Sequence, residues 1–267
     1  MLPLHYHFMK QLKLIIAIVL ITGFAFGQNN VTDAAGKKQG YWKKPSGEAG
    51  KILFEGMFKD DKPQGIFKYY YPFDTVKAIM DFKKDGAYAY AKLFHPNGKI
   101  MAKGKYVGEI KDSVWIYYDE AGVMVSKDNY VNGKKNGKCF VYLPDGSLAE
   151  ERVYKMDVQD GPFKQYFDGK LVRGEGLYVN GKLEGKNTYY YPNGIQAATG
   201  YYKNGQKTGP WIYKEKDGKI KEKELYIDGK LADKKKTDEF FAKNKVQDSP
   251  PPKTQEKKTT DKGNKKG

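Results

Sequence analysis

Tyr178-Val179-Asn180-Gly181-Lys182-Leu183-Glu184-Gly185, running on to Tyr189-Tyr190-Tyr191-Pro192-Asn193-Gly194, is the stretch on which the fold turns. It contains two turn signals, Asn180-Gly181 and Pro192-Asn193-Gly194, separated by a short segment rich in rings. Asn-Gly tolerates the positive φ that a two-residue hairpin turn demands, so the stretch reads as turn, strand, turn. The same pattern recurs on either side of it. Phe58, Phe82, Tyr106, Tyr130, Tyr154, Tyr178, Tyr202 and Tyr226 stand 24 residues apart. Seven residues after the first seven of these come Gly65, Ala89, Ser113, Gly137, Gly161, Gly185 and Gly209. Two further on lie Phe67, Ala91, Trp115, Cys139, Phe163, Asn187 and Trp211. A fixed period of this length is the mark of a repeat architecture.

Each unit carries turn chemistry at two fixed places. One is Pro96-Asn97-Gly98, Pro144-Asp145-Gly146, Asp168-Gly169, Pro192-Asn193-Gly194 or Asp217-Gly218, and the other is Asp85-Gly86, Asn132-Gly133, Asn180-Gly181, Asn204-Gly205 or Asp228-Gly229. Between them run segments rich in Tyr, Phe, Ile and Val. Alternate positions, as in Phe67/Tyr69, Trp115/Tyr117 and Trp211/Tyr213, point to one face of a strand and stack into a ladder across the sheet. Gly56, Gly104, Gly176 and Gly200 fall on that face and leave room for a neighbouring ring. A lone hairpin is marginal in water, so each unit depends on the next. The expectation is an all-β, elongated, open antiparallel meander of about eight hairpins, at residues 40–232.

These residues resemble the bacterial variant of the MORN repeat. The likeness rests on the stretch quoted first, on Tyr130-Val131-Asn132-Gly133-Lys134-Lys135-Asn136-Gly137, and on Tyr202-Lys203-Asn204-Gly205-Gln206-Lys207-Thr208-Gly209-Pro210-Trp211. Units of 24 residues depart from the usual 23, and Ala91, Cys139 and Asn187 stand where a Trp is common. The resemblance implies a scaffold that binds other molecules and supplies no catalytic residue. Related bacterial chains carry a YwqK-type antitoxin label, which implies a neutraliser of one protein as the alternative.

Composition agrees with this architecture. The apolar fraction is 39% and mean hydropathy −0.76, while 22 Tyr and 14 Phe suit half-exposed sheet faces better than a dry helical core. Lys10 and Lys13 precede a charge-free apolar run from Leu14 to Phe26, and Ala25-Phe26-Gly27 sets small residues at a cleavage site before Gln28. Residues 1–27 therefore read as a signal peptide and 28–39 as a short leader, giving an exported protein, periplasmic, on the outer surface or extracellular. After Asp233 the period stops, and residues 233–267 read as a Lys-rich, largely disordered tail in which Thr237 to Lys245 form a short capping helix. Outer-membrane barrel strands are longer and carry a lipid-facing apolar band, which these Lys-bearing segments lack.

Chemistry finds little foothold. Beyond residue 27, His95 is the only histidine and is expected as an exposed turn residue; Cys139 is the only cysteine and sits in a ring slot of the core. Glu150 and Glu151 are adjacent, so they face opposite ways on a strand, and an envelope enzyme using paired acids is the losing reading. No cofactor and no metal site is expected. The net charge is +16, of which residues 1–27 carry +2 and residues 233–267 carry +5, leaving +9 on 28–232. Lysines on sheet faces and edges guard against aggregation, and they also suit a protein partner or an anionic envelope component, including peripheral membrane contact. Nucleic acid is not expected as a partner of an exported protein. The rings Trp115, Tyr117, Tyr189, Trp211 and Tyr213 are the expected binding face.

Overall fold

The computed structural model describes residues 29–47 and 50–244. The expected signal peptide and the tail beyond residue 244 lie outside them. Among the described residues are twenty β-strands and one helix, and the paired strands run antiparallel. The fold is the all-β open meander of hairpin repeats that the 24-residue period predicts. The described residues cluster into two compact units, those up to Met124 with Tyr130–Gly133 and Val125–Asn129 with those from Lys134 on.

In the first unit the main strands are Lys38–Pro45, Ile52–Lys59, Lys62–Tyr70, Val76–Lys83, Tyr88–Phe94, Ile100–Val107 and Ile110–Tyr118, each paired with the next. In the second, Gly137–Tyr142 pairs with Leu148–Lys155, and the meander continues through Gly161–Tyr166, Val172–Val179, Lys182–Tyr190, Gln196–Lys203, Gln206–Lys214 and Ile220–Ile227.

The two turns of a repeat differ in kind. At Asn132-Gly133, Asn180-Gly181, Asn204-Gly205 and Asp228-Gly229 both residues have positive φ, near 50° and 80°, the two-residue turn that the sequence predicts. At Pro96-Asn97-Gly98 and its counterparts only the glycine does, at 81° for Gly98. There Asn97 Oδ1 accepts from the Lys99 amide, and the chain reverses through an Asx-type turn followed by a left-handed glycine.

Successive repeats are fastened at both rows of turns. The Gly133 amide donates to Lys111 O, that of Gly181 to Gln159 O and that of Gly205 to Leu183 O. At the other row, Tyr71 Oη donates to Phe94 O and Tyr191 Oη to Lys214 O, each 23 residues ahead. His95 Nε2 meets Tyr118 O at 3.0 Å with the same spacing. His95 is thus half-buried and holds two repeats together, where an exposed turn residue was expected; the turn geometry aims its ring at the next repeat.

The helix expected from Thr237 spans Lys234–Lys243, starting three residues earlier because Asp233 caps it, its carboxylate accepting from the Lys236 amide. It packs against the strand Ile220–Ile227, with Lys223 Nζ 5.2 Å from the Phe241 ring. No helix of the described residues is long and apolar enough to cross a membrane.

Candidate functional site: two unlike sheet faces

One face carries the ladder of rings. In the first unit a single row runs Trp42, Gly56, Phe67, Met80, Ala91, Gly104, Trp115. In the second it runs Cys139, Arg152, Phe163, Gly176, Asn187, Gly200, Trp211, Glu224. Glycines stand beside rings along it, at Gly56 with Phe67, Gly104 with Trp115 and Gly200 with Trp211. A Cβ on Gly104 would lie 2.3 Å from the Trp115 ring, one on Gly200 2.2 Å from Trp211 and one on Gly56 2.5 Å from Phe67. Each ring therefore lies flat on the bare backbone of the preceding strand, as the glycine spacing predicts.

A bulge makes the approach possible. Lys103 pairs with Ile116 and Lys105 with Asp112, so Gly104 alone stands opposite Ser113, Val114 and Trp115. Ser113 takes φ 59° there, and its counterparts Gly65, Gly185 and Gly209 take 63°, 68° and 62°. The small residue seven after the repeating aromatic is the pivot of the bulge. Ala89 has no such φ, and its strand pairs without a slip: Phe82 with Ala89, Met80 with Ala91. In that repeat the large residue and the small one have exchanged places.

Trp115 and Trp211 are 0% and 1% exposed, so neither forms part of a contact surface. The expected binding face is thereby corrected: its two largest members are core. Trp115 Nε1 donates to Lys105 O and Trp211 Nε1 to Tyr201 O, the carbonyl just after each glycine. Tyr117 and Tyr213 stack beside them, at 6.2 and 6.1 Å between centroids. Tyr189 is half-buried beside Gly174, with burial and a hydrogen bond to Tyr202 pushing its hydroxyl well above the usual range. All five rings sit on the packed face.

Two lysines that the sequence analysis did not single out complete this core. Lys111 Nζ lies 5.0 Å from the Trp115 ring, 5.0 Å from Tyr117 and 5.4 Å from Tyr130, and donates to Tyr117 Oη. Lys207 repeats the arrangement over Trp211, Tyr213 and Tyr226 at 4.6, 5.3 and 5.0 Å. Each ammonium caps the ring ladder through cation–π contact, so these charges serve packing rather than an outside anion. Their shared place in the 24-residue unit, three after the turn's first residue, was the available signal.

Asn187 fills the ring slot of its own repeat. Its Nδ2 donates to Gly185 O, while its buried Oδ1 has no partner among the described residues. Cys139 is buried, and desolvation pushes its thiol up, the opposite of what a nucleophile requires. The acids are likewise engaged. Glu150 pairs with Arg152 and accepts from Gln165, while Glu151 accepts from Tyr166 on the other face. Hydrogen bonds from Tyr70 and Tyr41 hold the Glu55 carboxyl below its ordinary range. No cluster of metal-binding side chains occurs among the described residues.

The opposite face is the exposed one. Ile66 and Tyr90 are 53% and 55% exposed, and Leu53, Met57, Val107, Val114, Leu177 and Tyr201 are also open to solvent. Across the first unit this face carries the row Lys43, Glu55, Lys68, Ile79, Lys92, Lys103, Ile116. A groove of about 720 Å³ opens on it between Ile66 and Ile116. The exposed face is thus basic and aliphatic, with the aromatic ladder behind it.

A ladder of interlocked β-hairpins with a packed face and an exposed one defines a β-repeat protein. Residues 54–72, 129–148 and 175–196 match the MORN repeat, and residues 89–107 and 111–132 match the MORN repeat variant. These matches support a MORN-repeat family. Comparison with curated proteins gives no match. Among solved structures, a crystal structure of an S. aureus TarM mutant in complex with Fondaparinux, alpha-GlcNAc-glycerol and UDP shares 13% identity, over 33% of this chain and 18% of that one. Its TM-score of 0.26 is too low to bear on fold or function.

Proposed function

We propose that this protein is a non-catalytic, exported repeat scaffold that binds a protein or an envelope surface through the face opposite its ring ladder. The observation that carries the reading is the division between the faces. The aromatic side is spent on packing, while the other side leaves large aliphatic residues and lysines in water. Exposed apolar residues on a rigid sheet mark an interaction surface. MORN repeats as a class suggest a binding scaffold. The engaged acids and the buried thiol weigh against catalysis, and the apolar run Leu14 to Phe26 supports export.

Affinity capture with the tagged chain from Gln28 onward, out of its own cell envelope at low and high salt, tests this. One stoichiometric protein that survives high salt supports a specific protein contact, and its being a toxin would favour the antitoxin-like alternative. Lipid or polymer released by salt supports an electrostatic surface contact. A native protein located in the cytoplasm, with nothing captured from the envelope, overturns the proposal.

A further inference from the structure

On the exposed face, two repeats set a lysine against a glutamate at a place where a third sets lysine against lysine. Lys68 and Lys164 occupy the same place in their repeats, and each meets a glutamate on the neighbouring strand: Lys68 pairs with Glu55 at 3.9 Å and Lys164 with Glu175 at 3.4 Å. Lys92 holds that place in the next repeat, and its neighbour is Lys103, standing where three repeats have Glu55, Glu151 and Glu175 and two have Lys127 and Lys223. Like charges directly opposed across a sheet destabilise it. None of the ion pairs of the described residues includes Lys92 or Lys103; Lys103 has only the Tyr118 ring, at 5.5 Å. The nearby acids are taken, Asp81 by Lys83 at 2.8 Å and Asp112 by Lys105 at 3.2 Å.

This uncompensated pair lies in the 720 Å³ groove, with Ile79 next to Lys92 and Ile116 next to Lys103 along the row. Tyr90 and Val114 form its exposed margin. At ~4.8 Å between strands, the two isoleucines are roughly 14 Å apart, the span from residue i to i+4 of an extended chain at ~3.4 Å per residue. Residue i+2 then falls between the lysines.

We propose that this groove binds an extended segment of a partner protein with an acidic residue flanked, two positions away on each side, by apolar residues. The carboxylate lies between Lys92 and Lys103, and the apolar side chains rest on Ile79 and Ile116. The proposal rests on the scaffold reading above and gives it a site and a partner chemistry.

The test uses a fluorescein-labelled peptide Gly-Ile-Ser-Glu-Ser-Val-Gly, its Gln counterpart and a counterpart with both apolar residues made Ser, titrated with the chain from Gln28 onward. The Glu peptide should bind roughly tenfold more tightly than either counterpart, and weaken with salt. Lys103→Glu should lower its affinity by at least about tenfold. That variant sets a glutamate beside Lys92, as Glu55 stands beside Lys68 and Glu175 beside Lys164, so its thermal midpoint should stay at or above that of the unaltered protein. Lys92→Gln should weaken binding in the same direction. Equal binding of the three peptides, or undiminished binding to Lys103→Glu, overturns the proposal. So does saturation of the groove by inorganic phosphate or by vesicles containing anionic lipid while the Glu peptide fails to bind. Envelope capture by Lys103→Glu that matches the unaltered chain would remove the groove and leave the scaffold reading standing.

Discussion

Gly104→Ala adds one methyl group at the most crowded point of the first unit. Its carbon would stand 2.3 Å from Trp115 Cδ2 and 2.4 Å from Cε2, against a comfortable separation of about 3.5 Å. The ring has to move by roughly 1 Å, away from Lys105 O, to which its Nε1 donates at 3.0 Å. Overpacking costs about 1–3 kcal/mol, and the strained hydrogen bond adds about 1. Loss of glycine's freedom in the unfolded chain returns about 0.5–1 kcal/mol. The net expectation is a loss of about 2 kcal/mol, read from urea unfolding followed by far-UV circular dichroism. The sharper measurement repeats the substitution in a Trp115→Ala background. Trp115→Ala alone costs about 3–5 kcal/mol. With the ring gone, the closest contacts of the new methyl go with it, and Gly104→Ala becomes stabilising by about 0.5–1 kcal/mol. A substitution that destabilises equally in both backgrounds, or is neutral in the unaltered protein, refutes the idea that the glycine is there for the ring.

Lys207→Met keeps the aliphatic stem but removes the ammonium from three rings, and should cost about 1 kcal/mol by thermal unfolding, against nearly nothing for the exposed Lys216→Met. His95→Tyr places at that turn the residue of Tyr71 and Tyr191, whose hydroxyls already make the equivalent bond, so its unfolding free energy in urea should hold while that of His95→Ala falls by about 1 kcal/mol. Acid should weaken the first unit through Glu55: its pKa is lowered in the folded state, so its contribution is present above the ordinary value of about 4.3 and is lost as pH falls through the folded value. Glu55→Gln should flatten that limb of a stability–pH curve. Alkali acts in the opposite sense through Tyr41, pushed up to about 12 by burial and by its bond to Glu55. Its contribution is full below about 10 and is lost as pH rises through 12, and Tyr41→Phe should remove that loss.

The hairpin ladder was legible because its signals are local and periodic. Asn-Gly fixes a turn wherever it stands, and the distance from Gly104 to Trp115 recurs from Gly56 to Phe67 and from Gly200 to Trp211. Burial was not legible in the same way. Alternation tells which residues share a face, but a one-layer sheet offers no second layer to say which face is dry. Trp115 and Trp211 are dry because the bulge lays them on a glycine and Lys111 or Lys207 closes over them, and a lysine in a charged sequence gives no sign that it points inward. The groove was half visible. Aligning the repeats shows Lys103 in the place of Glu55, Glu151 and Glu175, yet only the strand register reveals that the residue opposite it is another lysine.

The exchange of large and small along the packed row has a consequence for how the chain finds its partners. Repeats of identical sequence can pair with the wrong copy at little cost, and misassembly is a characteristic failure of repeat proteins. Here Trp115 fits over Gly104, Phe67 over Gly56, and Ala91 beside Met80. A chain slipped by one repeat would set Trp115 against Met80, two large side chains in a place that holds one. Each hairpin is thus cut to accept its own neighbour, and the irregularities that blur the motif in the sequence act as addresses when the protein folds.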